Sequence, residues 1–384
     1  MRRRILLLNE RDLRNPLAGG AEVHLFEIFK RLARRGHEVT LLAASFPGCA
    51  SEERIDGVQV RRLANRYLYY GLVPWVARRA FRGGGYDLVI DALNKLPFFS
   101  PWLVGRPCFA IVHHLFGTTA FRQVAFPIAL VTWLSEKLIP AVYGGVSMLA
   151  ISPSTKQDLI ARGLDARQIW VVPPGIDHHA YARATSGSQE RDLVLWIGRL
   201  EPYKRADLMI EAMVGVRRHR PNARLVVVGE GSAHPALAER VRRLGLAGCV
   251  EFTGFVSEAD KIGWLQRAAV LVNTSQKEGW GMTVIEGNAC GTPSVSSDVP
   301  GLRDAVRDGA TGLLVRYGDA SALAGAIVAI LSDGKLRQRL VEGGLQWAGR
   351  FTWDRVADDA EALIERAIAP CDAELKLVAS PFGG

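Results

Sequence analysis

The chain has 384 residues, 48% of them hydrophobic, and a formal charge of +9, enough length to bury two cores. Five cysteines, odd in number and without CxxC or Cys/His spacing, argue against a disulfide framework or a zinc module and point to a reducing compartment. No run approaches the roughly 18 apolar residues of a membrane span, so the expected location is cytoplasmic.

The opening MRRRILLLNERD has too short an apolar run for a signal peptide and reads as a first buried strand. Next comes AEVHLFEIFKRLARRG (21–36), whose Val23, Phe26, Phe29 and Leu32 share one helical face and whose Gly36 ends the helix. EVTLLA, GVQVRRL, YDLVID, CFAIVHH and SMLAIS then read as strands, and SPSTKQDLIARGL as a helix with a Ser/Pro start. Residues 171–192, VVPPGIDHHAYARATSGSQERD, concentrate Pro, Gly and Ser and lose periodicity, as a linker does. Beyond it DLVLWIG, ARLVVVG, CVEFTG, AAVLVNTS, PSVSS and TGLLV repeat the scheme. Strands alternating with helices predict two doubly wound, Rossmann-like α/β domains, with ligands beyond the carboxyl ends of the strands. The expected division is 1–175 and 176–370, the last helix at 353–368 returning to the first domain and 371–384 forming a flexible tail.

Residues 1–180 hold 23 Lys and Arg against 14 Asp and Glu, whereas 181–384 hold 25 of each. An anionic partner is therefore expected for the first half. No helix-turn-helix, zinc-finger or RRM-like signature accompanies the charge, so nucleic acid is not the expected partner.

The chemistry concentrates in the second half. VVVGEGSAHP lacks the third glycine of a dinucleotide fingerprint, and no Walker lysine motif is present. AAVLVNTSQKEGWGMTVIEGNAC instead reads as strand, glycine loop and helix starting near Gly281. Amides of Met282 and Thr283 at that helix start favour a diphosphate. Gly279 and Gly281 keep the loop backbone open to it, Glu286 lies one turn into the helix where a carboxylate can accept from a vicinal diol, and Glu278 precedes the helix. Arg199 and Lys204, in the loop after the strand DLVLWIG, supply charge to offset those carboxylates.

IGRLEPYK, VVVGEG, VEFTGFVS, VVPPGID and the long stretch EGWGMTVIEGNACGTPSVSSDVPGLRDAVRDGATGLLV together resemble the retaining glycosyltransferases of family 4, which have the GT-B fold, two Rossmann-like domains facing across a cleft. The resemblance covers nearly all of the second half and, through GGAEVHLFEIFKRLARRGHEVTLL, extends more weakly to the first. It implies that Arg199 and Lys204 hold the donor diphosphate, that Glu286 holds the ribose and that Glu278 contacts the transferred sugar. By the same resemblance the backbone at Phe255 and Val256 meets the nucleobase, Gly19 and Gly20 admit the donor phosphates, and His113 lies near the sugar, followed by His114 where the family often has Asp. Two departures stand out: Arg205 follows Lys204 where the family commonly has Gly, and Trp280 and Met282 replace Phe and Leu.

The implied activity is transfer of a sugar from a nucleotide-diphosphate sugar with retention, without a metal or other cofactor, since the chain has no Asp-x-Asp and Arg199 and Lys204 can stabilise the leaving group. A phosphorylase of the same fold is one alternative. Another is a non-catalytic anion-binding scaffold docked on a membrane. Residues 61–82 combine Arg61, Arg62, Arg66, Arg78, Arg79 and Arg82 with Tyr67, Tyr69, Tyr70 and Trp75, and 115–143 add Phe116, Phe121, Phe126 and Trp133. These suit the headgroups of an anionic inner leaflet and a lipid-linked acceptor.

Overall fold

The computed structural model describes residues 2–369, except 106, 120, 122–124 and 185–188. The expected tail lies outside the described residues. The chain divides into two compact units: Ile176–Thr352, and Met1–Gly175 together with the segment from Trp353 onward.

The first unit is built on eight strands: β1 (Arg4–Leu8), β2 (Glu38–Ser45), β3 (Glu52–Ile55), β4 (Val58–Asn65), β5 (Leu88–Leu93), β6 (Cys108–Val112), β7 (Ser147–Ala150) and β8 (Ile169–Val171). Their order is β3-β4-β2-β1-β5-β6-β7-β8, parallel throughout except the β3–β4 pair at one edge. β5 and β6 are buried along their whole length and β1 along all but its first residue, so their sequences are continuous apolar runs rather than alternating ones. The chain moves outward in one direction from β1 and in the other from β5, which makes the β1–β5 boundary the switch point of the sheet.

The helix Gly20–Arg34 covers this sheet with Leu25, Phe26, Ile28, Phe29 and Leu32 buried. Val23, expected on that face, is exposed, and His24 is buried in its place. The face is rotated because the first turn also turns Glu22 inward. The helix Trp353–Ile368 lies beside it in the same unit, burying Trp353, Val356, Ala360, Leu363 and Ile364. Ion pairs Arg31–Asp354, Arg35–Glu361 and Arg3–Glu365 line the seam.

The second unit carries β9 (Leu193–Ile197), β10 (Arg224–Val228), β11 (Val250–Gly254), β12 (Val270–Asn273), β13 (Ser294–Ser297) and β14 (Gly312–Val315). The order is β11-β10-β9-β12-β13-β14, all parallel. Its switch point lies between β9 and β12, whose register pairs Leu195 with Leu271 and Trp196 with Val272. Trp196, Met209, Met213, Val272 and Ile327 are among its core side chains.

Candidate active site

The switch point of the second sheet brings together the two loops in which the sequence places the donor residues. Trp196, near the end of β9, donates from Nε1 to Thr274 Oγ1 (3.1 Å), just past β12, and that hydroxyl donates to the Lys204 carbonyl (3.0 Å). This relay holds the Arg199–Lys204 loop against the start of the glycine loop. Lys204 Nζ then reaches Glu278 Oε1 at 2.5 Å, and Ser275 Oγ donates to the same oxygen at 2.7 Å. Arg199 is exposed and donates to Tyr203 Oη at 3.0 Å.

The glycine loop is fixed from behind by Gly301. With φ at +84°, a Cβ there would lie 2.2 Å from the Glu278 carbonyl oxygen, so only glycine admits this approach. Helix Met282–Ala289 begins directly after Gly281. Its first-turn amides, Met282 and Thr283, have no carbonyl partner inside the helix and carry the positive end of its dipole.

Glu286 is buried in this helix. Lys261 Nζ, from the helix Glu258–Arg267, lies 3.3 Å from each of its carboxylate oxygens. Burial raises the Glu286 carboxyl above its ordinary range and the Lys261 charge opposes that. Lys261 also reaches Glu258 Oε2 at 3.1 Å and sits 5.1 Å from the Tyr181 ring, whose hydroxyl donates to Glu258. None of Lys261, Glu258 and Tyr181 stands out in the sequence. Each is remote in the chain from Glu286, and only folding makes them neighbours.

Phe255 is 81% exposed, and its amide donates to Glu230 Oε1 (3.2 Å); Val256 follows it, half-buried. The glycines of VVVGEG have a packing reason. At Gly229, φ +129°, a Cβ would meet the Gly198 carbonyl oxygen at 2.0 Å, so that motif seats the Arg199 loop rather than a dinucleotide.

In the first unit, Gly19 precedes the helix Gly20–Arg34 and its amide donates to Glu22 Oε2 at 2.7 Å. A Cβ at Gly20 would meet nothing within 4 Å. His113 follows β6 and is buried; its Nε2 lies 3.1 Å from His24 Nδ1. Burial, with His24 and His114 nearby, pushes His113 well below its ordinary pKa, and His24 down to about 3, so both imidazoles are neutral. His24 is a partner that nothing in the sequence singles out.

A pocket at the β1–β5 switch point is lined by Asn9, Glu10, Glu22, Tyr70, Asn94 and Lys95. Glu10 accepts from Lys95 Nζ (2.9 Å) and Tyr70 Oη (2.7 Å), and Asn94 donates to Glu22 Oε1 (3.3 Å). Burial alone would raise Glu10, but Lys95, Tyr70 and Arg11 together hold it below the usual carboxylate range.

The basic–aromatic stretch 61–82 is divided by the fold. Arg62 is fully buried between Asp12 and Glu53, and Tyr69 donates to the Asn9 and Leu42 carbonyls, so these two belong to the core. Tyr67 and Trp75 are 78% and 72% exposed, with Arg66, Arg79 and Arg82 also at the surface. Phe126, Ile128, Val131 and Leu134 are exposed on the helix Phe126–Lys137. No helix among the described residues is long and apolar enough to cross a membrane.

Two parallel α/β sheets, each with polar groups gathered at its switch point, define a nucleotide-sugar transferase of the GT-B fold. Residues 18–180 match the family model Glycosyltransferase Family 4, residues 180–347 match Glycosyl transferases group 1, and the chain belongs to this glycosyltransferase family. It is 28% identical over 392 residues to D-inositol 3-phosphate glycosyltransferase of Jonesia denitrificans, covering 91% of each chain. It is also 28% identical to phosphatidyl-myo-inositol mannosyltransferase of Mycobacterium leprae, covering 90% of this chain and 93% of that one. Anabaena Alr3699/HepE in complex with UDP and glucose shares the fold, with a TM-score of 0.76 at 20% identity over 94% of this chain and 99% of that one. The activity is transfer of a sugar from a nucleotide-sugar donor.

Proposed function

We propose that this transferase is retaining, binds its donor at the β9–β12 switch point and passes the sugar to a hydroxyl-rich acceptor. The observation that carries the donor site is the junction of Lys204 with Glu278 beside the start of helix Met282–Ala289. Lys204 leaves one hydrogen bond to Glu278 available for exchange, so a diphosphate can draw on Lys204, Arg199 and the first-turn amides while Glu278 turns to the sugar hydroxyls. Glu286 accepts from the ribose diol. Phe255 and Val256 bound the nucleobase.

In the reaction the acceptor oxygen bonds to the anomeric carbon on the face that the diphosphate leaves. The C–O bond to phosphate breaks, and the acceptor proton passes to the departing phosphate oxygen. Charge grows on that phosphate as the bond breaks, so Arg199, Lys204 and the helix amides act most strongly at the transition state. The acceptor is read from the pocket of Glu10, Glu22, Asn94 and Lys95, whose carboxylates and amide suit a polyol. An inositol-type ring, the acceptor in the names of the two curated relatives, fits that chemistry.

Thermal shift with UDP, GDP and ADP tests the donor site: at 100 times Kd the true nucleotide adds about 2.7 kcal/mol. NMR of the product tests the stereochemistry. A product of inverted anomeric configuration overturns the same-face reaction, and no shift with any nucleoside diphosphate overturns the donor site.

The exposed apolar side chains of helix Phe126–Lys137, with Trp75 and the surface arginines of helix Arg66–Arg82, favour one addition: the first unit docks on an anionic lipid surface. A lipid-linked form of the acceptor follows from that docking.

A further inference from the structure

The buried cluster around Glu286 extends the donor site beyond the residues that the sequence motif supplies. Glu286 is 8% exposed, and its Oε2 has no hydrogen-bond partner. Lys261 lies 3.3 Å from both oxygens. Lys261 in turn is held by Glu258 on its own helix and by the face of Tyr181. Glu258 and Tyr181 also act on Glu286, and the neighbouring Cys290 thiol is pushed up to about 12 by burial and the Glu286 charge, and is therefore neutral. Tyr181 is neutral too, since burial and the two carboxylates raise its hydroxyl far above its ordinary range. Lys261 thus supplies the positive charge of this cluster among the described residues.

We propose that Lys261 is a positioning residue for the donor: its ammonium, seated by Glu258 and Tyr181, keeps Glu286 an aimed carboxylate that accepts both ribose hydroxyls. A carboxylate offers acceptors to two donors at once, whereas a protonated carboxyl spends one oxygen as a donor. The inference rests on the donor site proposed above. Without Lys261, burial would act unopposed by that charge and hold the proton on the Glu286 carboxyl to higher pH. The proton is then lost, and binding regained, as pH rises.

The test is the dissociation constant of UDP, or of whichever nucleoside diphosphate gives the largest thermal shift, between pH 7 and 9. Wild type changes less than about twofold. Lys261→Met binds about tenfold more weakly at pH 7, the worth of one hydrogen bond to a charged group, and recovers most of the loss by pH 9. Lys261→Arg restores the flat profile, which a purely structural defect in Lys261→Met does not predict. Wild-type affinity with a flat profile in Lys261→Met overturns the proposal, as does equal weakening at both pH values. If Lys261→Met does not fold, Lys261→Gln carries the same comparison. The 2′,3′-dideoxy nucleotide separates this from the underlying reading: wild type that binds it as tightly as the parent places the ribose elsewhere, and the donor site then fails whatever the Lys261 variants do.

Discussion

Arg205 adopts φ 54°, ψ 39°, a left-handed conformation that glycine takes freely and a side chain takes at a cost of about 1–2 kcal/mol. The side chain offsets that cost through Asp207, which it reaches by both Nε and Nη2, and through Tyr317 Oη at 2.9 Å. The family's usual Gly and this chain's Arg are thus two solutions for one turn. Arg205→Ala keeps the strained backbone and loses the contacts, so it should destabilise by about 1–2 kcal/mol. Arg205→Gly loses the contacts but relieves the strain and should stay within about 1 kcal/mol of wild type. Urea unfolding of both decides it, and a less stable glycine variant would show that the contacts outweigh the backbone term. The two glutamates divide at the same scale. Glu286→Ala should cost roughly 1.5–3 kcal/mol of nucleotide affinity, the worth of hydrogen bonds to a charged group. Glu278→Ala should lower kcat on the order of 10²-fold with a smaller loss of affinity. Calorimetry with the nucleoside diphosphate, paired with turnover, separates them; equal affinity losses would contradict the division.

The strand–loop–helix unit of β12 and helix Met282–Ala289 was legible because every part is local. A buried apolar run, a glycine-broken loop and a helix start follow one another in the chain. β9, β10 and β12 of the second sheet are likewise apolar runs, whereas β3 and β8 do not stand out in the sequence. β3, EERI, is a charged antiparallel edge strand and β8 has three residues, so neither carries a periodic signal. Pro-Gly dipeptides favour turns, yet nothing local to Pro300–Gly301 says that the turn lies against Glu278. Gly301→Ala tests that contact: strain at positive φ together with a Cβ only 2.2 Å from the Glu278 carbonyl oxygen should cost about 2–4 kcal/mol and lower turnover by moving Glu278. A variant of wild-type stability and rate would mean that the loop yields without consequence. Lys261, Tyr181, His24 and the Glu10–Lys95 pair were illegible for the opposite reason, since each acts through a contact between distant segments.

Over the whole molecule the excess positive charge falls in residues 1–180, and in the proposed donor site Arg199, Lys204 and helix amides supply the charge. Activity should therefore persist in EDTA, and loss that Mg²⁺ or Mn²⁺ restores would count against the protein's cations as the stabilising charge. Anionic vesicles should bind the protein at low salt and release it as salt rises, each surface arginine contributing about 1 kcal/mol. Trp75→Ser combined with Val131→Ser should weaken that binding without changing nucleotide affinity. Co-sedimentation reads both, and absence of binding at low salt would leave the exposed aromatic residues without this role.

The helix Trp353–Ile368 has a consequence for how the protein is made. The first unit lacks this helix until all of Ile176–Thr352 has been synthesised. At roughly 5–20 residues per second, the nascent first unit waits on the order of ten seconds or longer with the surface for Leu363, Ile364 and Trp353 uncovered. The second unit, continuous in sequence, can fold on the ribosome meanwhile. The unit begun before the other is completed after it, and a ribosome that stalls before residue 353 releases a finished second unit tethered to an unfinished first one, a natural client for chaperones.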